Sequence, residues 1–177
     1  MGRLRWSFLV FACALTAGAA VAHAKKHVKK IFKVDSVLMY QPASVVADRV
    51  GDPAALKDYE HRLEHDLRAS LAAAPGGPGF SAAMVVAVRP GAGSHVWLVT
   101  KGKIAPGLAS QLTAAAQAEP AMDVQGGPIA FAVVFDGFGG GGPKVVDKRH
   151  PIPIPPAWTA AGPPAGTVTA DSLGVVR

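Results

Sequence analysis

Cysteine is nearly missing from this 177-residue chain: its one copy, Cys13, stands inside an apolar stretch close to the N-terminus. Without that stretch the chain has no thiol for a disulfide, a nucleophile or a soft metal ligand. Aromatic residues make up only 7%, which leaves the core to be built chiefly from aliphatic side chains. Long apolar runs are also scarce. Residues 6–22 form the only one near membrane-spanning length, and it falls somewhat short of the ~20 residues that cross a bilayer comfortably. Acidic residues number 12 against 18 Lys and Arg, an imbalance too mild to argue for nucleic acid.

Glycine and proline are plentiful, at 20 and 15 residues, and with so much alanine they describe one domain of modest core flanked by irregular segments. The N-terminus reads as a secretory signal. Arg3 and Arg5 precede the apolar run, and Ala22-His23-Ala24 supplies the small residues needed for cleavage after Ala24. Arg3 and Arg5 leave with it, so 16 of the 18 basic residues face all 12 acidic ones in the mature chain. The alternative is retention of residues 6–22 as an inner-membrane anchor. A lipoprotein reading of Cys13 fits poorly, because bulky Phe11 stands where a small residue is wanted.

Residues 25–33 carry Lys25, Lys26, His27, Lys29, Lys30 and Lys33. Such an arm either docks on an anionic envelope surface, at about 1 kcal/mol per lysine near it, or is a solvated leader. Residues 25–51 are read together as basic arm and linker, with Val34, Val37, Leu38 and Met39 suggesting a short edge strand.

Punctuation is clearer beyond residue 51. Asp52-Pro53 places a capping carboxylate before a proline at the first helical position, and Pro75-Gly76-Gly77 ends the helix. Leu56, Tyr59, Leu63, Leu67 and Leu71 recur at three- and four-residue spacing and form its apolar stripe. His61-Arg62-Leu63-Glu64-His65 matches the inverted zinc-peptidase pattern H-x-x-E-H. At about 100° per residue, however, both histidines fall opposite the stripe, toward solvent and away from any third ligand.

Residues 82–88 and 96–99 are apolar and β-rich, and the Gly-rich connection between them predicts an antiparallel hairpin. Trp97 is expected in the core or as a half-buried platform; His95 has no partner visible in sequence. Residues 108–119 predict a second helix with a seam of Leu108, Leu112 and Ala115 or Ala116. In residues 129–135, Ile129, Phe131, Val133 and Phe135 alternate with Ala130, Ala132 and Val134, a strand with helices on its large-residue face. Gly139 to Gly142 lack a Gly-Lys-Ser/Thr ending and are expected as a flexible linker into a Gly/Pro-rich tail, where Pro151, Pro153, Pro155 and Pro156 favour extended geometry. The tail reads as a weakly ordered segment, the alternative being an arm that docks on a partner or on its own domain through Ile152, Ile154 and Trp158.

The expected fold is therefore α+β: a small three-stranded antiparallel sheet with two helices packed on it. Helix, hairpin, helix and strand occur in that order, with Gly102 after the second strand, Pro120 closing the Ala-rich helix and Gly127-Pro128-Ile129 opening the last strand. This pattern over residues 52–138 resembles the periplasmic C-terminal domain of the TonB/TolA family. Asp58-Tyr59-Glu60 and a longer, TolA-like helix stand where TonB proteins carry Tyr-Pro, and Leu108-Ala109 replaces their Leu-Asp.

The resemblance implies a non-catalytic protein-binding domain that pairs a sheet edge with an extended segment of a periplasmic or outer-membrane partner. It implies no cofactor, no metal and no catalytic residue. The division that follows is signal 1–24, arm and linker 25–51, domain 52–138 and tail 139–177. An anchored energy transducer is the alternative within the family, although the 27 residues of the arm and linker reach under ~100 Å even at full stretch. Outside it stand a basic envelope-surface structural protein and a small hydrolase, for which Ser44, Ser70, Ser81, Ser94, Ser110 and Ser172 sit in no nucleophile motif.

Overall fold

A computed structural model describes residues 30–147 apart from Ala92 and Pro106, together with Pro153 and Pro155. The signal sequence, most of the basic arm and most of the tail lie outside the described residues. The chain runs β1 (Phe32–Met39), α1 (Ala43–Val50), α2 (Pro53–Ala73), β2 (Phe80–Arg89), β3 (Gly93–Thr100), α3 (Leu108–Ala118) and β4 (Ile129–Gly137). The fold is α+β, but its sheet has four antiparallel strands in the order β1-β4-β2-β3, and three helices accompany it.

The expected core is present. Asp52 caps α2 by accepting from the Ala54 N–H at 2.9 Å, and Tyr59, Leu63, Leu67 and Leu71 are buried. The hairpin pairs β2 with β3 from Ala82↔Thr100 to Arg89↔Gly93. Central β2 and β4 are buried on both faces nearly throughout, and each face serves a different layer. Phe80, Met84, Val86, Phe131, Val133 and Phe135 pack beneath the α2 stripe and Leu108, Leu112 and Ala116 of α3. Tyr59 meets Phe131 edge-on at 6.0 Å, an arrangement favoured by the ring quadrupoles. The other face presents Ala83, Val85, Ala87, Ala130, Ala132 and Val134, packed with Tyr40 and Val145.

The expected three strands and two helices need correction, because part of the segment read as linker is folded. β1 pairs with β4 from Phe32↔Gly137 to Met39↔Phe131, with a bulge between Val34 and Ser36. The extra residue, Asp35, shifts the alternation so that Val34 and Val37 both join the helix-side core. The short edge strand suggested by Val34, Val37, Leu38 and Met39 is therefore present as β1 at the sheet margin, and the shift hides only its register, because it breaks the period of two. α1 was missed because eight residues give barely two turns of periodicity, although Val46 and Val50 carry an i, i+4 signal.

The glycines expected as a flexible linker form a turn with φ positive at Gly139, Gly140, Gly141 and Gly142, conformations that suit glycine. The turn brings Lys144 to Asp136 at 2.7 Å and buries Val145. The packed domain thus begins before residue 52 and continues past residue 138.

Candidate functional site

An antiparallel sheet leaves alternate N–H and C=O groups of its outermost strands pointing away from the sheet. On β3 these belong to Ser94, Val96, Leu98 and Thr100, given the bonds that Gln117 makes there. The Val96 N–H donates to Gln117 Oε1 at 3.3 Å, and Gln117 Nε2 donates to the Ser94 carbonyl at 3.0 Å. One amide side chain from α3 thereby imitates a neighbouring strand and closes the first half of that edge.

The β1 edge is arranged differently. The Phe138 N–H donates to the Ile31 carbonyl and the Tyr40 N–H donates to the Ala130 carbonyl. Counting inward from these two bonds across the bulge turns the main-chain groups of Phe32, Val34, Val37 and Met39 outward. Among the described residues, no side chain takes up these four positions in the way Gln117 does on β3.

A cleft adjoins each end of this strand. At its start a cleft of about 620 Å³ is lined by Lys30 to Val34 together with Arg68 and Ala72 of α2. Ile31 is exposed here at 46%, and the Arg68 guanidinium lies 5.4 Å from the Phe32 ring centre. At its end a second cleft, about 330 Å³, lies among Met39, Val46, Val50, Pro53 and Leu56. Leu56, the first residue of the stripe, is half-buried: it packs against the helix-side core and also lines this apolar cleft. Two contacts hold α1 in place beside it: Arg49 Nη1 donates to the Pro128 carbonyl at 2.6 Å, and the Gln125 N–H donates to the Arg49 carbonyl at 2.8 Å.

Charge on β1 is concentrated at the bulge. Asp35 accepts from Lys33 at 2.7 Å and from Lys144 at 3.0 Å, while Lys144 also bonds both oxygens of Asp136. The Lys33 hydrogen bond, aided by Lys144, holds the Asp35 carboxyl below its ordinary value. Its bond to Asp136, aided by Asp35, raises Lys144. These pairs tether the chain beyond β4 to β1 on the small-residue side of the sheet. Tyr40 is buried beyond the strand's end, and burial pushes its phenol well above the ordinary value.

Other residues singled out in the sequence lie elsewhere. His61 and His65 are on the exposed face of α2, as their helical phase requires, and His65 Nδ1 is 3.1 Å from Asp66 Oδ1. Among the described residues no cluster of three or more His, Cys, Asp or Glu could hold a metal ion. Trp97 is half-buried, as expected, with the exposed His95 ring 4.4 Å away. The β1 edge and α1 cleft were not found as a site by sequence reasoning; the available signals were exposed-strand character at Val34–Met39 and the Val46/Val50 pair. Comparison with protein families, with curated proteins and with solved structures finds no match for this chain.

Proposed function

We propose that this protein is an exported, non-catalytic binding module of the cell envelope that captures an extended segment of a protein partner along the outer edge of β1. The observation that carries this reading is the coincidence of outward main-chain groups on β1 with a cleft at each end of the same strand. Strand addition supplies affinity through the main chain and selectivity through side-chain pockets. The TonB/TolA resemblance supports the same kind of work, since α2, β2, β3, α3 and β4 follow in the order on which it rests.

The anchored-transducer alternative is weakened by the folding of β1. Nine residues, 23–31, separate the candidate anchor from Phe32, a reach of about 30 Å when fully extended. A periplasmic module released after Ala24 accords with this short reach, and residues 25–33 would give it an auxiliary hold on anionic envelope surfaces.

Val37→Pro tests the reading. Proline removes an outward N–H that serves no ladder bond and blocks strand addition there. Peptides selected from a displayed random library on the wild-type protein should lose binding to Val37→Pro and keep it to Leu98→Pro on the β3 edge. Binding that survives Val37→Pro and disappears in Leu98→Pro would assign the docking edge to β3.

A further inference from the structure

The small-residue face of the sheet is covered by the chain itself. Ala83, Val85, Ala87, Ala130, Ala132 and Val134 form a shallow apolar surface bordered by Tyr40, and far along the chain Pro153 and Pro155 are both buried. The Tyr40 hydroxyl donates to the Pro153 carbonyl across 113 residues of sequence. The segment that carries these prolines reads Pro151-Ile152-Pro153-Ile154-Pro155-Pro156.

Alternating prolines fix φ near −65° and remove every second N–H, so such a segment cannot join a sheet as a fully bonded strand. Its carbonyls remain strong acceptors, and its extended form is already set before binding. A surface that recognises it therefore needs a shallow apolar floor and a donor from an amphipathic aromatic ring. The sheet face has that floor in its alanines and valines and that donor in Tyr40.

We infer that this face is a recognition surface for proline-alternating extended segments, and that the chain's own segment around Pro153 and Pro155 is its resident ligand. It is separate from the β1 edge and does not depend on the function proposed for that edge. Recognition of this kind is reversible, so the segment should hold its place without covalent continuity and should yield to the same sequence offered in trans.

The test uses the full chain with a specific protease site inserted between Arg149 and His150. After cutting, the fragment beginning at His150 should co-elute with the body of the protein under native conditions. Excess synthetic peptide covering residues 149–158 should displace it. Loss of one hydrogen bond in Tyr40→Phe should speed release by about 3- to 10-fold. Immediate separation from a body that keeps its circular dichroism would overturn the inference, because chain continuity alone would then hold the prolines.

Should cutting unfold the body, hydrogen exchange on the uncut chain decides the matter. The Ile152 and Ile154 amides should exchange about 3- to 10-fold faster in Tyr40→Phe than in wild type. Unchanged rates would refute a role for the Tyr40 contact.

Discussion

Two buried or paired residues show opposite kinds of electrostatic behaviour. The Tyr59 hydroxyl is enclosed beneath α2 and faces Ser94, yet among the described residues it closes no hydrogen bond of ordinary geometry; burial chiefly raises its pKa. Removing an unpaired buried hydroxyl is expected to be neutral or to stabilise by up to about 1 kcal/mol. Urea denaturation of Tyr59→Phe should show this, while Leu63→Ala, which empties a fully buried position, should cost about 2–5 kcal/mol.

Asp35 is paired, and its folded pKa lies below the ordinary 3.8. Its contribution to stability is complete above that value and is lost as the pH falls through the lower, folded one. Lys144 has its folded pKa above the ordinary 10.5, so its contribution is complete below that value and is lost as the pH rises through the higher one. Asp35→Asn should flatten the acid limb of a stability-versus-pH curve below about pH 4. An acid limb identical to wild type would contradict this account of the bulge.

Among the elements, the sheet edges and the turn after β4 matter most. Replacing Gln117 by Leu removes the amide bonds to Ser94 and Val96 and uncovers the first half of the β3 edge. The Val96 amide should then exchange faster, and the variant should self-associate more readily as concentration rises. The turn has a stricter requirement. A Cβ on Gly79 would stand 1.7 Å from the Gly140 carbonyl oxygen, so Gly79→Ala must displace main chain and is expected to cost about 1–3 kcal/mol in denaturant titration.

Elements with an uninterrupted period were legible in the sequence, whereas β1, whose period is broken, was legible only as a short edge strand without its pairing. α2 has a cap, a proline start and four buried stripe positions in phase, and β4 alternates large with small over seven residues. β1 contains the same kind of alternation, but Asp35 divides it, and only pairing with β4 across 92 to 105 positions reveals the register. Gly139 to Gly142 looked like slack chain because composition does not encode four positive φ angles held by the Asp136 contact. The candidate site was least legible for a related reason. An open edge is a property of strand order, and strand order depends on long-range pairing.

At the scale of the whole molecule, one sheet separates two jobs. Its helix side carries the core, with the β1 edge and its clefts at the margin; its small-residue side receives the returning chain at Val145 and Pro153. The exported binding-module reading requires the β1 margin to be open in the free protein and closed in the complex. Amide hydrogen exchange followed by NMR tests this most directly, first on the protein alone and then with a library-selected peptide bound. The amides of Val34, Val37 and Met39 should exchange fast in the free protein, against slow exchange at Ser36 and Leu38, and should become protected with the peptide. Slow exchange at all five positions in the free protein, or peptide-induced protection confined to Leu98 and Thr100, would contradict it.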